Sequence, residues 1–170
     1  MSKVNIPVCE PSIGEEEIQN VLHCLRTTQI SGWAGEYITE FEQKFSAYCG
    51  AKYGIATINC AIATILALES LEIGRGDEVI TSTFTFAAPI FAIIHRGAKP
   101  VVVDCEPKTW NIDPSKIEEK ITKRTKAIMP VHIYGHPVDM NPILDLAQKY
   151  NLPFLWPRGN LYLKNPHHKT

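Results

Sequence analysis

Five short segments of the sequence carry the polar and aromatic side chains best placed to do chemistry, because each follows an apolar run typical of a strand. These are residues 59–61 (Asn-Cys-Ala), 82–88, 104–106, 132–139 and the residues from Pro157 onward. A helix that begins at 59–61 could bind an anion through its first backbone N–H groups. The ring of Phe86 could stack on a flat heterocycle, and His132 and Tyr134 could line the same ligand site.

Each candidate also has a purely structural interpretation, which the residues alone leave open. Cys60 and Ala61 could simply begin a helix, since short motifs often mislead. Phe86 could be a core residue, and His132 could be a half-buried histidine satisfied by hydrogen bonds. The pattern predicts no catalytic residue.

The elements that would position these residues alternate along the chain between helical and extended patterns. Strands are predicted in segments 53–58, 76–82, 99–104, 125–135 and 151–156. Helices are predicted in segments 14–27, 35–50, 61–74, 86–97, 113–122 and 139–150. Buried apolar strands separated by helices predict an α/β fold with an open, mostly parallel sheet and flanking helices. Such sheets bind ligands at the carboxyl ends of their strands.

Composition argues against several classes of protein. The chain has 170 residues, 45% of them hydrophobic, and a formal net charge of -1, which gives no basic surface for nucleic acid. The first residues contain no apolar stretch typical of a secretory signal, and no apolar run is long enough to span a bilayer. Five cysteines without a C-x-x-C pair argue against a zinc site or a disulfide framework. We therefore expect a cytoplasmic protein.

The end of the chain differs from the rest. Asp145 is the last acidic residue, and neither helical nor strand periodicity follows Trp156. The adjacent pair His167 and His168 in this segment is weak evidence for a metal site, so no metal site is predicted. We expect an irregular tail at 156–170.

Three longer stretches carry a resemblance to a known family. They are 30–57, 76–88 (GDEVITSTFTFAA) and 97–140, and together with the residues around them, roughly 6–155, they resemble the DegT/DnrJ/EryC1/StrS sugar aminotransferases. The runs TWNIDP and VHIYGHPVDM are especially similar to the perosamine synthase branch. The resemblance implies an incomplete large domain of a fold type I transferase that uses pyridoxal phosphate. It also implies transfer of an amino group, usually from glutamate, to the 4-keto carbon of a nucleotide-linked 6-deoxysugar, in a homodimer.

The resemblance also implies roles for the candidate residues. Asn59, Cys60 and Ala61 would form the cup for the cofactor phosphate, where the family commonly has Ser/Asn-Gly-Thr. Cys60 thus replaces a glycine, and Ala61 replaces a threonine whose hydroxyl would bond the phosphate. Phe86 would cover the pyridine ring, and His132 and Tyr134 would line the substrate side.

The resemblance stops where the family carries an acidic pair for the pyridine nitrogen. Trp156 and Pro157 occupy those positions here, and the segment that brings the Schiff-base lysine would follow. Lys126 lies at the wrong edge of the predicted sheet to replace it. We therefore expect residues 1–155 to be the amino-terminal part of the large domain, inactive alone, with a frameshift near codon 156 as the simplest hypothesis.

Two further expectations follow from the resemblance. Strand 53–58 should lie at a sheet edge and pair with a strand beyond residue 170, so its backbone groups would lack a neighbour here. The alternative function is a non-catalytic fragment that associates with a full-length aminotransferase, or a regulatory or interaction module.

Overall fold

The computed structural model describes residues 7, 10–32, 35–158 and 160–164, with 156–158 and 160–164 described as backbone only. The expectation for His167 and His168 lies outside these residues. The chain forms two compact units, Met1–Ala56 and Thr57–Thr170. No helix within the described residues is long and apolar enough to cross a membrane.

The first unit contains two amphipathic helices, α1 (Glu15–Arg26) and α2 (Glu36–Tyr48). The carboxylate of Glu17 accepts the backbone N–H of Gly14 at 2.7 Å, and acidic residues fill the first turn of α1, where the helix dipole favours them. Neither helix contains a buried residue. On α2, Phe41 stacks on Phe45 with ring centroids 5.2 Å apart.

The second unit is built on one five-stranded sheet, which confirms the predicted α/β fold. Its strands are β1 (Glu78–Ser82), β2 (Lys99–Val103), β3 (Thr125–Met129), β4 (Phe154–Arg158) and β5 (Asn160–Lys164), in the order β2-β1-β3-β4-β5. The first four strands of this order pair in parallel, and β5 pairs antiparallel with β4.

Helices cover both faces of this sheet. They are α3 (Cys60–Ser70), α4 (Ala87–His95) and α5 (Met140–Lys149), with single 3-10 turns at Pro114–Lys116, Glu118–Lys120 and Ile133–Gly135. Val79 joins a buried cluster with residues of α3 and α4. Its neighbour Ile80 joins a second cluster with Ile117 and Ile143. Successive strand residues point to opposite faces, so β1 contributes to two apolar layers, one on each side of the sheet.

Two predicted strands differ from the structure. Segment 53–58 is not a strand, because an extended segment forms a ladder only where another strand pairs with it. β2 was predicted to be buried, but it lies at the edge of the sheet, where Val103 is its one buried residue and Val102 is 46% exposed. Pro100 fits this position because an edge strand tolerates a missing N–H.

Two other segments also adopt a different local structure. The predicted helix 113–122 forms two 3-10 turns, and Asp113 caps the first of them, accepting the Ser115 N–H at 3.0 Å. The tail was predicted to be irregular from Trp156, but β4 continues to Arg158 and β5 follows it. The exposed edge of β4 presents unpaired backbone groups, and the following residues pair with them.

Candidate functional site

The segments that follow β1, β2 and β3 leave the sheet at one edge, because these strands are parallel. Helices α3 and α4 also begin at this carboxyl edge, since each leads into the amino end of a strand. At their other ends, Arg96 joins them, since its Nε donates to the carbonyl oxygen of Ile73 at 3.2 Å and its guanidinium pairs with Glu69. The topology therefore places the start of α3, the residue Phe86 and the loops after β2 and β3 at the same edge.

The amino terminus of α3 is capped by the side chain of Asn59. Oδ1 of Asn59 accepts the backbone N–H of Ile62 at 3.0 Å, and Cys60 and Ala61 follow as half-buried residues of the first turn. The first N–H groups of a helix have no partner within the helix, and they attract anions. The helix-start interpretation of this segment is confirmed, and its role as a phosphate cup stays a prediction.

Phe86 is the residue immediately before α4. Its backbone is extended, and its side chain is 80% exposed, so the alternative that it belongs to the core is wrong. Two hydroxyls close to it in sequence, Ser82 Oγ and Thr85 Oγ1, are buried and have no hydrogen-bond partner among the described residues. Unpaired buried hydroxyls are costly, and a polar ligand at this edge would satisfy them.

His132 and Tyr134 have different surroundings. His132 is half-buried, and its Nδ1 accepts the backbone N–H of Val138 at 2.9 Å. This bond supports the structural interpretation of His132. Tyr134 is 81% exposed and has a left-handed backbone with φ of 47°, so its ring is available to a ligand.

Sequence reasoning missed a cleft beside Tyr134. The Phe84 ring lies 5.7 Å from the Trp110 ring and 6.2 Å from the Tyr134 ring, centroid to centroid, and both pairs are tilted. These three rings line an open cleft of about 480 Å³, hereafter the aromatic cleft. Its other lining residues are Lys108, Thr109, Ile133 and His136. Trp110, the aromatic residue within TWNIDP, was the one sequence signal that could have indicated this cleft. That run was interpreted only as a mark of the family.

The two loops of the aromatic cleft are joined by the buried side chain of Asn111. Its Nδ2 donates to the carbonyl oxygens of His136 and Pro137 at 3.2 and 3.3 Å. Its Oδ1 accepts the backbone N–H of Ile133 at 3.1 Å. One side chain therefore holds the loop after β3 against the loop after β2.

A carboxylate shapes the loop that carries Trp110. Glu106 accepts hydrogen bonds from the hydroxyl and N–H of Thr109 and from the N–H of Lys108. The Thr109 hydroxyl, followed by the Lys108 N–H, lowers the pKa of Glu106. Within the described residues, no group of three or more His, Cys, Asp or Glu side chains is arranged to hold a metal ion.

Comparison with known proteins assigns the family. A model of the DegT/DnrJ/EryC1/StrS aminotransferase family matches residues 11–156. The chain belongs to this family. It is 48% identical over 147 residues to a GDP-perosamine synthase of Caulobacter vibrioides, an alignment that covers 86% of this chain and 39% of the relative.

Two solved structures confirm the fold class. The aminotransferase from Psychrobacter cryohalolentis superposes with a TM-score of 0.83 at 39% identity, covering 86% of this chain and 37% of that one. The NtdA protein of Bacillus subtilis, solved with bound cofactor PMP, superposes with a TM-score of 0.77 at 37% identity, covering 85% and 34%. The chain thus spans less than half the length of these relatives.

The described residues fit part of a pyridoxal phosphate site. The start of α3 has backbone N–H groups that could donate to a phosphate, and Phe86 has an exposed ring. The buried hydroxyls of Ser82 and Thr85 have no hydrogen-bond partner among the described residues. Lys126 is the second residue of β3, toward the amino edge, which agrees with the prediction that it lies far from such a site. Lys108 is the described lysine that lines the aromatic cleft.

Proposed function

We propose that this chain supplies the phosphate and ring contacts of a pyridoxal phosphate-dependent aminotransferase that acts on nucleotide-linked 4-keto-6-deoxysugars, with glutamate as amino donor. The match of the aminotransferase family over residues 11–156 carries this proposal. The similarity to a GDP-perosamine synthase favours a perosamine-type reaction.

In this proposal the start of α3 binds the cofactor phosphate through the backbone N–H groups of Cys60 and Ala61, and Phe86 covers the pyridine ring. Ser82 and Thr85 provide hydroxyls beside it. The bound cofactor would act as an electron sink for the carbon that exchanges its amino group. This chain's own residues bind and orient the cofactor.

The chain alone would not transaminate. In the family resemblance, the carboxylate for the ring nitrogen and the lysine partner follow position 156, and the family match ends there. Orientation of the reacting groups supplies much of the rate in such reactions, so a lysine elsewhere would not replace the missing one. We propose a cytoplasmic protein in which other segments complete the site, as in a homodimer of the full-length family.

Cofactor binding by the full chain tests this proposal. Titration of the chain with pyridoxal phosphate, followed by absorbance, should show binding that Phe86→Ala weakens about five-fold or more, since stacking contributes on the order of 1 kcal/mol. The matched control is Phe91→Ala, another exposed phenylalanine, on α4 itself. Equal weakening by both variants, or no binding by the wild-type chain, would contradict the proposal.

Borohydride treatment of the same samples tests the expected inactivity. We expect no stable adduct on a single lysine. An adduct mapped to one position by mass spectrometry, above all to Lys108, would show that this chain supplies its own lysine and would overturn the claim that it is inactive alone.

A second function has an observation in its favour. Ile18, Val21 and Leu25 form one face of α1 and are 45%, 59% and 60% exposed. An exposed apolar face favours a role as a non-catalytic fragment that associates with a full-length aminotransferase. Sedimentation of the chain with the Caulobacter perosamine synthase, compared with a Val21→Lys variant, tests this alternative. Loss of co-sedimentation in the variant would support it.

A further inference from the structure

We propose that the aromatic cleft binds the nucleotide part of the substrate, a nucleoside diphosphate, with the base stacked among Phe84, Trp110 and Tyr134. This inference rests on the proposed function, because it names the place where the carrier of the sugar is held. The site lies on the loops after β2 and β3, apart in sequence from the phosphate cup at the start of α3.

The backbone gives the first argument. Trp110 has φ of 62° and Tyr134 has φ of 47°, and left-handed backbone is rare for bulky aromatic residues. Such strain persists only where the surroundings hold it, and it concentrates at ligand sites. Both strained residues carry rings that line the same cleft.

The hydrogen bonds that fix the backbone of the two loops carrying Trp110 and Tyr134 give the second argument. Glu106 accepts bonds from Lys108 and Thr109, and the Trp110 N–H donates to the Glu106 carbonyl oxygen at 3.2 Å. Asn111 then ties this loop to the loop of Tyr134. The rings are thus held in place before a ligand arrives, which reduces the entropy lost on binding.

The exposure of the rings gives the third argument. Phe84, Trp110 and Tyr134 are 39%, 57% and 81% exposed, so their rings are accessible to a ligand. The volume of about 480 Å³ lies within the range of small-molecule sites, roughly 300–1,000 Å³.

The chemistry of the lining selects a base rather than a sugar. A hexose brings many hydroxyls that need polar partners, whereas the hydroxyl of Thr109 on the lining already bonds to Glu106. A base needs mainly ring faces, and every base has a π face to stack. Lys108 lies on the same lining and supplies positive charge for the phosphates, and His136 adds ring nitrogens there, so a diphosphate fits the rim and a base fits the rings.

Titration of the full-length chain with GDP, followed by calorimetry, tests this proposal, with UDP, guanosine and inorganic diphosphate as further probes. We expect GDP to bind, UDP to bind several-fold more weakly because its ring is smaller, and inorganic diphosphate to bind most weakly. Trp110→Leu should weaken GDP binding about ten-fold or more. Lys108→Gln should weaken GDP but leave guanosine binding unchanged.

The matched control is Phe91→Ala, which removes an exposed ring outside the aromatic cleft and should leave the GDP affinity unchanged. The absence of GDP binding at millimolar concentration, or GDP binding that is insensitive to Trp110→Leu in a folded variant, would overturn the proposal. Binding of a free 6-deoxyhexose in the cleft in preference to GDP would also overturn it.

Failure of this inference is distinguishable from failure of the proposed function. Pyridoxal phosphate binding in the same variants should depend on Phe86 and not on Trp110. A chain that binds pyridoxal phosphate but no nucleotide would overturn only the cleft assignment. A chain that binds GDP through Trp110 but no pyridoxal phosphate would support the cleft and contradict the cofactor site.

Discussion

Oδ1 of Asn59 accepts the backbone N–H of Ile62 at 3.0 Å, so this side chain caps α3 at the place where the family resemblance puts a phosphate. The cap and the anion site therefore share one turn. Asparagine, aspartate and serine cap helices about equally well, but only aspartate adds a negative charge. Exchanging Asn59 for aspartate should therefore change anion binding while leaving the stability of the helix start almost unchanged.

Asn59→Asp should therefore keep the free energy of unfolding within about 0.5 kcal/mol of the wild type while lowering the affinity for pyridoxal phosphate, because its carboxylate repels the phosphate. Asn59→Ala should lose about 1 kcal/mol of stability. Urea unfolding and cofactor titration measure the two effects. If Asn59→Asp bound the cofactor as tightly as the wild type, the start of α3 would not be the phosphate site.

Ala61 offers a gain-of-affinity test at the same turn. Ala61→Thr restores the hydroxyl that the resemblance expects there, and a hydrogen bond to a charged group contributes about 1.5–3 kcal/mol. The affinity for pyridoxal phosphate should rise about ten-fold. Ala61→Val is the matched control, because it adds the same branched shape without a hydroxyl. Equal affinities for the two variants would contradict a phosphate contact at this position.

The elements that could be predicted from sequence are those whose signals are local. The apolar runs of β1 and β3 are visible in a few consecutive residues, and both strands form within the predicted segments. The edge position of β2 and the absence of a strand at 53–58 depend on which strands lie beside them. That information is tertiary, so no local pattern carries it.

The aromatic cleft could not be predicted for a similar reason. Trp110 and Tyr134 are 24 positions apart in the sequence, and both rings lie beside Phe84, on two loops that Asn111 bonds together. Hydrophobic periodicity indicates helices and strands. It does not indicate which residue has a left-handed backbone or which buried amide side chain joins two loops. The residues alone also left open whether Phe86 was a core residue, and only the family resemblance favoured an available ring.

The role of Asn111 leads to a prediction about loop dynamics. Asn111→Ala should lower the free energy of unfolding by about 1–3 kcal/mol, because it leaves the carbonyls of His136 and Pro137 and the N–H of Ile133 without this partner. Hydrogen exchange at Ile133 and its neighbours should also become faster. Asn141→Ala, an exposed position in α5, serves as the control. Unchanged exchange at Ile133 would show that other contacts hold the loop, and GDP binding should then survive as well.

At the amino edge of the sheet, Glu78 is a buried carboxylate that should make stability depend on pH. Its side chain accepts bonds from Thr122 at 2.6 Å and Arg124 at 2.8 Å, with Lys99 3.5 Å away. The Thr122 hydroxyl, and then Arg124 and Lys99, lower the pKa of Glu78 below its usual value of 4.5, against the opposing effect of burial. A depressed folded-state pKa contributes stability above the unfolded-state pKa, and this contribution is lost as pH falls through the folded-state value.

Glu78→Gln should therefore lose about 2 kcal/mol of unfolding free energy at pH 7, and the difference from the wild type should shrink as pH falls below about 4.5. Urea unfolding at a series of pH values from 7 to 3 measures this convergence. Glu119→Gln is the control, because its side chain is 65% exposed in a pair with Lys120 and such surface pairs contribute about 0–1 kcal/mol. A constant difference between Glu78→Gln and the wild type at all pH values would mean that the charge of Glu78 is not what its partners stabilise. Glu78→Gln would then destabilise the protein through altered packing alone, because protonation of the wild-type carboxyl group would not lower the free energy of unfolding relative to the variant.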